Sequence, residues 1–224
     1  QILRKHCVCV KHRYSVNTHF FDQIDTEEKA YWLGFLFADG CIYKKGYSST
    51  VSVELHIRDK EHIEKLRRSL ESTHPPCYRS TRPIVRLTVG NPQLVDALIG
   101  HGMVQRKSLI LEYPQINASL NRHFIRGYFD GDGSVHIVSN PAWGRCTQPH
   151  INIAGTQDFL SPIRSYLSQI AGVGFPTIFK QGKIYILAYG GGKQVPKILH
   201  YLYDDSMISL DRKQELAIQI IDTF

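Results

Sequence analysis

The spacing of apolar residues along the chain changes several times, and each change predicts an element. Residues 30–38, AYWLGFLFA, are almost wholly apolar. That is too dense for a surface helix and predicts one buried on nearly all sides. Residues 51–57, VSVELHI, alternate apolar and polar, the period of a half-buried strand. In DKEHIEKLRRSL, Ile63, Leu66 and Leu70 return to helical spacing behind Asp59, a residue suited to cap a helix N-terminus. A strand at 84–89 (IVRLTV) and a short helix at 92–99 (PQLVDALI) follow. The short hairpin segment YKKGYSS at 43–49 argues that the sheet starts antiparallel.

The same series then recurs. Aligning Asp39 with Asp132 also aligns Gly34 with Gly127, Ala38 with Gly131 and Gly40 with Gly133. Behind the second copy, HINIAG (150–155) alternates, TQDFLSPIRSYLSQI is helical with Thr156 as its cap, KIYILAY (183–189) is a strand and QVPKILHYL (194–202) a helix. Each copy closes on Arg-Lys, at Arg106-Lys107 and Arg212-Lys213. An internal repeat dictates architecture. The expectation is an α+β protein of two pseudo-symmetric halves, each αββαββα with one strand uncertain. The expected boundaries are a basic arm or linker at 1–21, a first half at 22–117 and a second at 118–224.

The repeated helices carry the chemistry. Gly34 and Ala38, like Gly127 and Gly131, lie four residues apart and share a helix face. Two such small-residue faces predict close packing of one helix from each half. Asp39 and Asp132 then end these helices, with Gly40 and Gly133 as the C′ glycines. An acid at a helix C-terminus opposes the dipole, and two brought together also repel. A hard divalent cation between them would resolve both conflicts. Asp130 aligns with Phe37, outside the repeated pattern, and reads as a peripheral polar contact.

Composition narrows the partners. The formal charge of +7 favours a polyanionic partner, nucleic acid first. No apolar run reaches the eighteen or so residues of a membrane-spanning helix. The basic N-terminus lacks the apolar core of a signal peptide, and the missing initiator Met suggests a fragment or processed chain. Cys7, Cys9, Cys41, Cys77 and Cys146 show no framework spacing and read as reduced thiols of an intracellular protein, in a bacterial or phage cytoplasm or an organelle. HCVCVKH at 6–12 lacks a second ligand pair for zinc. The histidines at 19, 62, 74, 101, 123 and 200 share no spacing and are assigned no chemistry.

The paired segments WLGFLFADG and IRGYFDGDG resemble the two motifs of single-chain LAGLIDADG homing endonucleases, and the resemblance extends over nearly the whole chain from about Asp22. It implies a saddle of two antiparallel sheets on the DNA major groove, with the motif helices at the interface. It implies Asp39 and Asp132 as metal-binding acids, and Lys107 and Lys213 as the late lysines near the scissile phosphates. Gln148 matches a polar strand residue at the edge of the active site, and the first half shows no counterpart. Phe37 replaces the acidic sixth motif position, which varies. The implied activity is Mg²⁺-dependent cleavage of one phosphodiester per strand by a metal-activated water, leaving short 3′ overhangs. Mn²⁺ would substitute, and Ca²⁺ would support binding without efficient cleavage. The partner would be double-stranded DNA with a long asymmetric site, bound by a monomer that needs no protein partner and no membrane. RNA maturases and non-cleaving DNA-binding regulators share this fold and stay open as the alternative.

Strand alternation nominates the DNA-facing side chains. These are Ser52, Glu54, His56 and Arg58 after the first motif, Arg86 and Thr88 on the next strand, and His150 and Asn152 in the second half. Near 183–189, Lys183 and Tyr185 oppose Ile184 and Ile186 and are nominated with them. Arg79, Arg82, Arg145 and Lys180 fall in expected loops and suit phosphate contacts. Trp143, in the long segment 139–150, would contact flanking DNA or cover a sheet edge.

Overall fold

The computed structural model describes residues 14–46, 48–79, 81–105, 107–139 and 147–224. The expectations for HCVCVKH, Arg106, Trp143 and Arg145 lie outside these residues. The first half contains α1 (Glu27–Asp39), β1 (Gly40–Lys45), β2 (Ser48–His56), α2 (Lys60–Ser69), β3 (Cys77–Tyr78), β4 (Ile84–Gly90) and α3 (Pro92–Gly100). The second contains α4 (Asn121–Asp132), β5 (Gly133–Ser139), β6 (Thr147–Gly155), α5 (Gln157–Ile170), β7 (Phe179–Gln181), β8 (Ile184–Gly190), α6 (Val195–Tyr203) and α7 (Asp211–Thr223). The strands form two antiparallel sheets of identical order, β1-β2-β4-β3 and β5-β6-β8-β7. This is the two-motif αββαββα architecture, with the uncertain strand present in each half as a short edge strand.

Local sequence sets the helix starts. Thr26 caps α1 by accepting from Lys29 N, with Glu27 and Glu28 in the favourable first turn. Asn91 and Thr156 cap α3 and α5 in the same way. From Ala30 to Ala38 every residue of α1 is buried, as its all-round apolar sequence requires. One face of each sheet carries helices: α2 and α3 pack on β4 and β2, and α5 and α6 on β8 and β6. The covered faces supply Val51, Val53, Val85, Leu87 and Val89 in one half, and Ile151, Ile153, Leu187 and Tyr189 in the other. Among the described residues no helix lies on the opposite faces.

The helices α1 and α4 pack directly against each other. A Cβ built on Gly34 would lie 2.0 Å from Phe124 O, and one on Gly127 would lie 2.0 Å from Tyr31 O. Either contact is far inside van der Waals range, so only glycine permits this approach. At the next turn, a Cβ on Gly131 would sit 2.3 Å from Ala38 Cβ.

One detail differs from the expected helix ends. Gly40 (φ −73°, ψ 146°) and Gly133 (φ −88°, ψ 157°) are extended, not left-handed. The chain passes straight from helix into strand, so no reversing turn is needed. Glycine is required for space: a Cβ would come within 2.5 Å of Leu36 O at Gly40 and of Phe129 O at Gly133.

Candidate active site and nucleic-acid face

Because α1 and α4 end side by side, Asp39 and Asp132 meet where the two halves join. A Cβ on Gly131 would be 3.3 Å from Asp39 Oδ2, so the Asp39 carboxylate lies over the last turn of α4. Burial pushes Asp39 up to about 6; Asp132 adds to the shift, while Lys107, Lys213 and Arg212 oppose it. Burial also raises Asp132, against Lys107, the Tyr128 hydroxyl and Lys213. The two acids share a partly desolvated site and resist ionising together.

The lysines answer the dipole conflict. Lys107 Nζ donates to Ala38 O and Gly40 O, each at 2.5 Å. Lys213 Nζ donates to Phe129 O at 2.6 Å and Gly133 O at 2.5 Å. Each ammonium therefore caps the C-terminal carbonyls of one motif helix, where a cation is favoured. Burial lowers Lys107, against the pull of Asp132 and Asp39, and burial brings Lys213 down to about 8. Phe37, Ala38, Lys107, Tyr128, Asp132 and Ala154 line a cleft beside the acids.

The donor set suits a hard cation that keeps most of its own water. Among the described residues no group of three or more His, Cys, Asp or Glu side chains could hold a metal. Two mutually repelling carboxylates are nevertheless the oxygen donors that Mg²⁺ takes from proteins when phosphate and water complete its shell. The residues present fit that ion.

Asp130 is not peripheral. It is 1% exposed and accepts from Tyr31 Oη, Tyr203 Oη and Leu210 N, each at 2.7 Å. It joins α1, α6 and the start of α7, the helix that carries Lys213. Burial raises its carboxyl, opposed first by Lys213. Beside it, Arg126 is fully buried and donates to Glu27 of α1 at 2.6 Å and to Leu202 O and Ile208 O. Sequence reasoning overlooked this second buried charge, because the carboxylate and carbonyls that hold it, on Glu27, Leu202 and Ile208, are distant along the chain.

The registers place the other nominated residues. Ser52, Glu54, His56, Arg86 and Thr88 share the open face of the first sheet. Glu54 holds Arg86 Nε at 2.7 Å and Arg79 Nη2 at 3.6 Å. Arg58 lies in a short turn after β2 and Arg82 in the β3–β4 connection, both exposed. In the second sheet His150 and Asn152 lie on the open face.

Three nominations need correction. Tyr185 aligns with Gly155 beside Leu187 and packs against the core, because β8 is phased with Ile184 and Ile186 on the open face. Lys180 aligns with Tyr185 on edge strand β7, on the helix side of the sheet and not in a loop, although it is exposed. Gln148 is five residues from Ile153, the strand partner of Gly133, which places it about 17 Å along β6 from the acids. It accepts instead from Gly192 N at 3.2 Å. Lys183 lies exposed in the β7–β8 turn. The open faces also present Cys41, Tyr43, Ser134, His136, Phe179 and Gln181, which were not nominated. Alternation continued through β1 and β5 from the motif glycines would have found the first four.

No protein-family model matches the sequence. No curated protein matches it either. Solved structures do match in fold. The LAGLIDADG meganuclease I-AabMI bound to uncleaved DNA has a TM-score of 0.61 at 13% identity, covering 86% of this chain and 89% of that one. The I-LtrWI LAGLIDADG homing endonuclease bound to target DNA has 0.62 at 12%, covering 92% and 91%. The meganuclease I-SmaMI bound to uncleavable DNA has 0.64 at 11%, covering 89% and 88%.

Proposed function

From the LAGLIDADG homing-endonuclease fold that this chain has, we propose that the protein is a site-specific endonuclease of double-stranded DNA, cutting one phosphodiester in each strand and leaving short 3′ overhangs. The observation that carries this reading is the meeting of Asp39 and Asp132 at paired helix ends, capped by Lys107 and Lys213. One acid and one lysine per half suit a substrate with two antiparallel strands. The open sheet faces have the shape that enters a major groove, and the net charge favours a polyanion.

Asp39 and Asp132 would hold Mg²⁺. When bound, the ion would neutralise phosphate charge and lower the pKa of the attacking water. The protein's own part is positional. The glycine contact of α1 on α4 fixes the distance between the acids, and the lysines fix the carbonyls beside them. Their ammonium charge would also offset the negative charge that develops on the phosphate. Partial burial of Asp39 limits the water around it, which strengthens the charge interactions it makes.

The test is selection from a randomised duplex library, with Mg²⁺ for cutting and Ca²⁺ for binding. One long asymmetric site with 3′ overhangs is expected. Asp39→Asn and Asp132→Asn should each lower cutting about 10³-fold while leaving binding in Ca²⁺ within a few-fold. Full cutting by either variant would overturn the reading. Selection in Ca²⁺ with no cutting in Mg²⁺ would instead indicate a non-cleaving nucleic-acid-binding protein on the same fold.

A further inference from the structure

The two open faces share their strand register but differ in chemistry along one row. The registers superimpose residue on residue. In the first sheet one row crosses three strands as Glu54, Arg86 and Cys77. The matching row of the second sheet is Ala154, Ile186 and Phe179. The neighbouring row is Ser52 and Thr88 in the first sheet, but Asn152 and Ala188 in the second. Along the first of these rows the charged pair Glu54 and Arg86 of the first half is therefore replaced by Ala154 and Ile186 in the second, while Ser134, Asn152, His136, His150 and Gln181 keep the rest of the second open face polar.

This apolar row does not belong to the core. Ile186 is only 8% exposed yet lies outside the main apolar cluster, and Phe179 beside it is 46% exposed. Ala154, Ile186 and Phe179 line one open cleft together with Asp132, Ser134, Asn152 and Gln181, so the row runs up to the second acid between polar neighbours. A surface continuous with the cutting site would meet the base pairs nearest the cut.

Resting on the endonuclease reading, we propose that the second half recognises the 5-methyl groups of pyrimidines, those of thymine in unmodified DNA, at the base pairs closest to the scissile bond. The first half reads its half-site by hydrogen bonds and charge. In the major groove the thymine methyl is the apolar feature of the base edges, and Ala or Phe side chains meet it by contact alone. Ala154 leaves the space, and Ile186 and Phe179 supply the surface. Arg86, at the position equivalent to Ile186, is held by Glu54 and presents donors to guanine.

The experiment takes the site selected in Ca²⁺ and replaces thymine by deoxyuridine in one half-site at a time, removing only the methyl groups. In one half-site the affinity should fall about fourfold for each contacted methyl, the value for burying one methylene-sized group. In the other half-site it should change less than twofold. Phe179→Ala, at an exposed position, should reduce the sensitivity of that one half-site, and 5-methylcytosine in place of cytosine there should restore affinity lost at a thymine-to-cytosine change. Equal sensitivity in both half-sites, or sensitivity that Phe179→Ala leaves intact, would overturn the inference alone. A concentration-dependent dimer lost in Phe179→Ala would overturn it too, by assigning the row to self-association. Failure to select any duplex would overturn the endonuclease reading and this inference with it.

Discussion

Asp39 is held where a carboxylate would not choose to be. Its folded-state pKa of about 6 stands above the ordinary 3.8 because it is buried and faces Asp132. The folded protein thus binds this proton more tightly than the unfolded chain does. The stabilisation is complete below about pH 3.8 and is lost as pH rises through about 6. Without divalent ions at pH 7.5, Asp39→Asn should therefore be more stable than the parent by about 1–3 kcal/mol. The advantage should vanish near pH 4, and Mg²⁺ should raise the melting temperature of the parent but not of the variant. Thermal denaturation across pH, with and without EDTA, measures this, and an Asn variant less stable at every pH would refute it. Asp130 is the opposite case. It is buried but accepts three hydrogen bonds at 2.7 Å, and Asp130→Ala should cost about 3 kcal/mol in chemical denaturation because Tyr203 and Leu210 N lose their acceptor and Tyr31 keeps only His62. The sequence hid this role. The repeat correctly marks residues common to both halves, whereas Asp130 acts through partners on α1, α6 and the start of α7 that Phe37, its counterpart in the repeat, cannot bind.

Among the elements, α1 and α4 are the most exacting. Gly34→Ala must push its Cβ against a backbone carbonyl rather than a movable side chain, so a loss of about 3 kcal/mol or more is expected. Gly90→Ala, whose nearest neighbour would be 3.9 Å away, is the matched control and should alter the melting temperature little. Similar losses at both sites would mean that helix contact is not the cause. The pairing of these helices was legible from the small residues alone, because four-residue spacing on an apolar helix has few other uses. The strands were legible wherever one face was polar, as in β2 and β4. β8 was not: Ile184, Tyr185, Ile186 and Leu187 form a run without alternation, so no periodicity could say which side met the core. Only pairing with β6 settles that phase, and it placed Tyr185 inward. Gln148 failed for a related reason, since a strand residue's distance from the acids depends on register rather than on residue type. The glycines at 40 and 133 were correctly read as helix ends, but the crowding that requires them arises only once the backbone turns directly into a strand.

Across the whole molecule the halves are joined by charge as well as by the helix pair. Glu27 of α1 receives Arg126 of α4, Lys65 of α2 pairs with Asp211 of α7, and Asp59 receives Arg212 at 3.0 Å. Separation would take Glu27 from Arg126 and Tyr31 from Asp130, and would open both buried charges to water. Residues 14–117 and 118–224 produced as separate chains should each fail to unfold cooperatively, and a folded one-to-one complex should form when they are mixed. Circular dichroism and size-exclusion chromatography would show this, and a sharp melting transition from either piece alone would contradict it. The backbone contact between α1 and α4 has a last consequence. Because Gly34 and Gly127 leave no slack, the two acids cannot drift apart as surface residues change. Under the proposed activity that contact works as a gauge block between two cutting edges. The reading faces can then be altered to suit a new sequence, while the stagger between the two breaks stays the same.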